Sequence, residues 1–284
     1  MGSDIVGIDH LMISVRNSAD AAAIFASMGF STTPRGQLPG MSNRLICFAN
    51  PDINVPNFVE MMSLDDPSLA PPSMAQALKT PDQPVLLVAA SDNAQSTHTR
   101  LVQNGLDAAP VIDGGRDWTL PGGEVLDLAF SIVLPSPGPA PFYWIACEHK
   151  TPQHYLRDSF TSHENTSTEL SKIIAVAEDP ATAAKHYQKH WTASVSAPET
   201  GPVTVSCGRV ELCIHSPKSF SEAFPTIELA RKEDHIVGFA ARVADMKKAQ
   251  DILDKNGFSP QHFAGSLLLD PAQCCGCLVL FEPQ

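Results

Sequence analysis

One unit of strand, helix and three further strands recurs four times along the 284 residues, and few folds can be built from such a recurrence. The first copy opens on the apolar strand Gly7 to Val15, continues through an Ala-rich helix from Ser18 to Met28, and stops at Gly29-Phe30. Strands are expected at Phe30–Thr33, Arg44–Phe48 and Phe58–Met62. The second copy runs from Pro84–Ala90 through a helix over Ala94–Asn104, then strands at Ala109–Ile112, Val125–Phe130 and Phe142–Cys147. A third begins at Ser171–Val176, has a helix opened by Asp179-Pro180, and ends at Val210–Ile214. The fourth starts at His235–Ala240, has a helix over Met246–Asn256 with a second Gly-Phe stop, and closes on Leu278–Glu282.

Linkers punctuate these copies. The Pro- and Ser-rich stretch Leu64 to Pro84 separates the first two, and the Pro loop from Pro135 to Pro141 precedes a strand. The polar segment Thr151 to Thr168 joins the halves, so two domains are expected, residues 1–150 and 169–284, with 151–168 as linker. Each domain holds two units.

Charge and cysteine usage narrow the function classes. The formal charge of −12 with no Lys/Arg cluster argues against a nucleic-acid partner. No apolar run reaches bilayer length, and the first residues lack the basic and apolar regions of a signal peptide. Seven cysteines, an odd number scattered through strand-like segments, suit reduced thiols and a cytoplasmic setting. Cys274-Cys275-Gly276-Cys277 reads as a turn into the last strand, since no second Cys-x-x-Cys completes a zinc site.

The tandem unit, His10 on a first strand, the Gly29-Phe30 stop and Phe58-Val59-Glu60 on a fourth strand resemble the vicinal oxygen chelate superfamily. That superfamily includes glyoxalase I, extradiol dioxygenases and antibiotic-resistance proteins. Gly40-Met41-Ser42-Asn43-Arg44-Leu45 and His149-Lys150-Thr151-Pro152 are similar to elements of its glyoxalase-like proteins. The resemblance spans essentially the whole chain. It implies an α+β fold in which four tandem βαβββ units pair into two cup-shaped mixed-sheet domains.

The resemblance also implies ligands from first and fourth strands around a divalent metal, Zn, Fe(II), Mn or Ni. His10 and Glu60 take those positions in the first unit. A carboxylate left unpaired among Phe58, Val59, Met61 and Met62 would be costly, which favours a ligand role for Glu60 over an edge-strand carboxylate. The second unit offers Val85 or Leu86 where glyoxalase I would have a histidine, a departure from the four-ligand pattern. Its last strand ends Cys147-Glu148-His149, and alternation lets only one of Glu148 and His149 face the cup. Histidine, favoured by His149-x-Thr-Pro, gives His10, Glu60 and His149; Glu148, if inward, is the natural base.

Asn43 and Arg44 are candidates for binding a substrate carboxylate or carbonyl, and Met12, Met62, Phe48 and Trp144 for lining an apolar pocket. His154 and His163, in the linker, could serve as base or substitute ligand. In the second half Glu211 and Glu282 take fourth-strand positions, but Lys172 or Ile173 and Gly238 stand on the first strands. No metal is expected there; that half supplies packing, a lid or a homodimer surface. The expected function is a metal-dependent lyase or isomerase acting on a small oxygenated metabolite. Its alternatives are an extradiol-type Fe(II) ring-cleaving dioxygenase and a metal-free binding or resistance protein.

Overall fold

The computed structural model describes residues 4–49, 55–136 and 140–284. Residues 1–3, part of the stretch read for a signal peptide, residues 50–54, and 137–139 of the Pro loop lie outside them. The elements in chain order are β1 (Ile5–Val15), α1 (Ser18–Ser27), β2 (Gly36–Leu38), β3 (Met41–Phe48), β4 (Asn57–Leu64), α2 (Pro72–Ala77), β5 (Gln83–Ser91) and α3 (Ala94–Gln103). There follow β6 (Ile112–Thr119), β7 (Val125–Val133), β8 (Trp144–His149), α4 (Asp158–Thr161), β9 (Ser167–Val176), α5 (Pro180–Trp191), β10 (Ser194–Ser196), β11 (Val203–Ser206) and β12 (Glu211–His215). The chain ends with α6 (Pro217–Ala223), β13 (His235–Val243), α7 (Met246–Lys255), β14 (Gln261–Phe263), β15 (Ser266–Leu269) and β16 (Leu278–Pro283).

These strands form two eight-stranded mixed sheets, ordered β2-β3-β4-β1-β5-β8-β7-β6 and β10-β11-β12-β9-β13-β16-β15-β14. The fold is α+β, and each sheet is two strand-helix-three-strand units back to back. In the first sheet β1 and β5 run antiparallel at the centre, with β4 parallel to β1 and β8 parallel to β5. Its edge strands β2 and β6 approach each other, which curls it into a nearly closed cup.

Local sequence explains where the main helices start and stop. Asn17, Asn93, Asp179 and Asp245 cap α1, α3, α5 and α7 by accepting backbone N–H groups of the first turn. Gly29, Gly105 and Gly257 follow α1, α3 and α7 at φ +88°, +80° and +81°, a region open to glycine without Cβ strain. The buried faces of these helices carry Phe25, Leu101, Tyr187, Trp191 and Leu253 into one apolar core shared with both sheets. Stacking of Phe30 on Phe281, 5.5 Å between centroids, joins the two halves directly.

Two expected strands lie elsewhere. Residues 30–33 are irregular, and β2 begins at Gly36 instead, because Thr33 spends its backbone N–H on Leu45 O. The strand expected at Ala109–Ile112 is β6, displaced to Ile112–Thr119. Its sequence Asp113-Gly114-Gly115-Arg116-Asp117 has no apolar alternation; full pairing with β7 and the buried Trp118 hold it as a strand.

The second cup is filled by its own chain. Phe220 of α6, with Phe224 and Ile227, packs against Ile174, Val176, Leu268 and Leu280. All seven cysteines are free thiols, and Cys274 and Cys277 are buried in the shared core. Among the described residues no helix is long and apolar enough to cross a membrane.

Candidate active site

The first cup encloses a cavity of about 400 Å³, within the usual small-molecule range. Its walls are apolar, with Met12, Met41, Met62, Met74, Ile132 and Ile145 among the lining residues. At its polar end stand His10, Glu60, His149 and Arg116. Strand alternation puts them there. His10 and Met12 on β1, Phe58, Glu60 and Met62 on β4, and Ile145, Cys147 and His149 on β8 all line the cavity at intervals of two.

Asp9 should point away from His10 by the same rule, yet it meets the same cluster. The pairing of β1 with β5 explains this: Ile8 opposes Ala89 and His10 opposes Val88, so Asp9 is an extra residue in a β-bulge. Asn57 Nδ2 donates to Ile8 O at 2.7 Å and to Asp9 O at 3.1 Å, and so braces the irregular segment. The bulge also places Val88, rather than Val85 or Leu86, across from His10.

The polar contacts form a chain. His10 Nδ1 lies 2.6 Å from Asp9 Oδ1, and His10 Nε2 lies 3.3 Å from Glu60 Oε2. His149 Nε2 lies 2.8 Å from Asp9 Oδ2. Asn43 Nδ2 donates to the other Glu60 oxygen, Oε1. The ring of His10 stacks on Phe58 at 4.0 Å, and His149 meets Tyr155 edge-on at 4.6 Å. All four charged side chains are buried, so two carboxylates face two imidazoles with little water between them.

Burial alone would raise the Asp9 carboxyl, but the imidazoles of His149 and His10 outweigh it and hold the group below its ordinary range. Burial would likewise raise Glu60; His10, Arg116 and Asn43 reverse the sign and keep it ionised. For His10 and His149 burial acts downward, and the carboxylates facing them drive both upward, His149 the more strongly. Cys147, whose Sγ is 3.7 Å from His149 Nε2, is raised by burial and stays a thiol.

Ligand atoms of Asp9, His10 and His149 lie within 4.8 Å of one another, the one such group among the described residues. Glu60 joins through His10. Two imidazoles and two carboxylates suit Zn, Fe(II), Mn or Ni. His149 Nδ1 and Asp9 Oδ2 are buried without an aligned hydrogen bond, so the donors have capacity to spare.

The structure brings His10, Glu60, His149 and Met62 to the cavity, with Asn43 behind Glu60. Glu148 does not reach it. It lies on the opposite face of β8, accepts the Ala94 N–H at 2.8 Å at the start of α3, and pairs with Lys150. That placement departs from the expectation of a base inside the cup. Trp144 shares that outward face; it is buried in the core, where its Nε1 donates to His186 Nε2 at 2.9 Å and its ring meets Trp191. Phe48 likewise packs outward against Phe30 and His163. Arg44 also turns from the cavity, donating from Nη1 to Thr33 O at 3.0 Å. Strand parity decides each of these four, and parity could be set only once the register was known.

His163 has a structural task. Its Nδ1 accepts the Ser31 N–H and its Nε2 lies 3.0 Å from Cys47 O, which ties the linker to the first sheet. In the second sheet a similar bulge falls in β13, which holds the place of β5, and its extra residue Val237 is followed by Gly238. The register that leads from His10 to Glu60 leads from Gly238 to Leu280, not to Glu282. Glu282 instead pairs with Lys172 and Arg242. Sequence reasoning missed Asp9, masked by alternation, and Arg116, masked by the polar Gly-rich β6.

Comparisons with known proteins place the fold among others of the same build. A family model described as a glyoxalase-like domain matches residues 8–191. No curated protein sequence matches the chain at a significant level. Among solved structures, a hypothetical protein from Staphylococcus aureus superposes with TM-score 0.68 at 7% identity, covering 98% of this chain and 99% of its own. The Mn(II)-bound glyoxalase from Novosphingobium aromaticivorans superposes at 0.58 with 11% identity, over 99% of this chain and 83% of its own. A mutant of 4-hydroxymandelate synthase from Streptomyces coelicolor gives 0.55 at 11% identity, over 99% and 93%. These likenesses show a common fold. Since the matched model spans residues 8–191, more than half of the chain, the chain belongs to the glyoxalase-like domain family.

Proposed function

We propose that the first cup is the active site of a metal-dependent lyase or isomerase acting on a small metabolite with adjacent oxygens. The observation that carries this reading is the convergence of His10, Glu60, His149 and Asp9 at the polar end of an otherwise apolar cavity. His10, Glu60 and His149 would hold the ion, and Asp9, in contact with both imidazoles, would hold the rings or join them as a ligand. A divalent ion bound there supplies Lewis acidity toward a substrate oxygen. The Mn(II) of the structurally similar glyoxalase supports a divalent metal.

This chain's own residues supply the rest. Glu60 is kept ionised by His10, Arg116 and Asn43, so its carboxylate can take a proton from carbon and return it. Asn43 fixes which Glu60 oxygen is engaged and leaves the other toward His10. The methionine-rich wall excludes water and adapts to an apolar substrate body. The set of two histidines and a carboxylate also favours a second reading, Fe(II)-dependent oxygenation, which bound iron with oxygen uptake would reveal.

Solvent-exchange experiments test the leading reading. Metal-loaded protein in D2O should wash deuterium into the carbon next to the carbonyl of 2-hydroxy and 2-oxo compounds, with Glu60→Gln abolishing the exchange. Metal-loaded wild-type protein that exchanges no substrate of this kind, and consumes no oxygen, would remove the enzymatic reading.

A further inference from the structure

Among the described residues that line the cavity, Arg116 is the one cationic side chain that makes no hydrogen bond or ion pair with the donor cluster. On β6 it lies beside Gly114 and Gly115, which bring no side chains of their own to that wall. Its guanidinium carbon lies 5.7 Å from the ring centroid of Trp118 and 5.5 Å from that of Phe130. Aromatic faces therefore hold the planar group in place. Its Nε is buried and donates to nothing, and no carboxylate among the described residues forms an ion pair with it. Glu60 is engaged by His10 and Asn43 instead.

Room has been made for this side chain. A Cβ at Gly36, on the facing edge strand, would lie 2.7 Å from Arg116 Cδ and 3.0 Å from its Nε. Gly36 is thus what lets β2 close over the arginine. The neighbouring Asn43 Oδ1 is also buried without a hydrogen bond. An oriented guanidinium with unused donors, facing a cavity, is a half-made site for an anion.

We propose that Arg116 anchors the carboxylate of a monocarboxylic acid whose remaining body is apolar. This rests on reading the cavity as the active site and names the class of molecule it takes. Guanidinium donors match the two oxygens of a carboxylate. A single cation with no ion pair among the described residues balances one negative charge, so a phosphate dianion or a dicarboxylate would leave charge uncompensated in an apolar enclosure. Met12, Met41, Met62 and Met74 leave space for a flexible aliphatic or aromatic body rather than a polar one.

Phenylacetate and 4-methylpentanoate, each compared with its uncharged amide, provide the probes. Titrated into the full chain and followed by tryptophan fluorescence, to which Trp118 beneath the guanidinium contributes, at least one acid should bind about tenfold or more tighter than its amide. Arg116→Met should erase that preference without weakening the amide, and Arg116→Lys should restore part of it. Equal binding of acid and amide by wild type, no binding of either acid, or a preference that survives Arg116→Met overturns the proposal. The wild-type comparison needs no variant to fold. Metal content, measured on the same preparations, separates the two readings. If the acid preference depends on Arg116 but the protein holds no ion, the anion site stands and the metal-dependent enzyme falls. Stoichiometric metal without acid preference gives the reverse.

Discussion

At the residue scale Asp9 does the most unexpected work. It sits between two histidines, and the buried arrangement is balanced only while its carboxylate is charged. Asp9→Ala should destabilise the metal-free protein by about 3–5 kcal/mol in denaturant titration, because it strands His10 and His149 without their counter-charge. Asp9→Asn keeps the shape and should weaken divalent-metal binding by roughly 10- to 100-fold, the usual cost of losing a group that orients ligands. Unchanged metal affinity in Asp9→Asn would mean that the bulge is architectural only. The pair His10 and Glu60 was legible in the sequence because each stood out in an apolar strand. Asp9 was not, because a bulge is a property of how two strands pair, and no single-strand pattern announces it.

At the element scale, strand parity separates the residues that line the cavity from those that support it. Glu148 shows the difference: one residue from His149, it serves the N-terminus of α3, where a carboxylate accepts an otherwise unpartnered N–H and favours the helix dipole. Glu148→Gln should lower thermal stability by about 0.5–2 kcal/mol and leave metal binding intact. Loss of metal with an unaltered melting temperature would put Glu148 back in the site. The helices were readable from caps and Gly stops, and the central strands from apolar runs. The edge strand β6 was not, since pairing with β7 and the anchoring of Trp118 outweigh its unfavourable composition. Arg116 went unseen with it.

At the scale of the whole molecule, one fold has been used in two ways. The first cup keeps its cavity open, whereas the second is plugged by Phe220 and Phe224, and its central bulge and the register position beyond it carry Val237, Gly238 and Leu280, which offer no metal ligand. The repeat was visible in the sequence; which cup stays open depends on α6 folding into its own sheet, a tertiary outcome. The halves are joined through the shared core and through His163, whose pKa burial depresses from 6.5 to about 4. Neutral in the folded protein, it takes up a proton more readily once unfolded. Stability should therefore be full above pH 6.5 and fall as the pH drops through 6.5 toward 4, by up to about 3 kcal/mol from this residue. Urea midpoints across that range should be flatter with pH in His163→Gln; an unaltered slope would show that other groups control acid unfolding.

His10, Glu60, His149 and Asp9 meet at one candidate metal site in the first cup. Calorimetric titration of the metal-free full chain with Mn(II), Fe(II), Zn and Ni tests that site directly. A single divalent ion per chain is expected, with binding abolished by His10→Ala and His149→Ala and strongly weakened by Glu60→Ala. Absence of stoichiometric binding by any of these ions, or binding that survives both histidine substitutions, would contradict it.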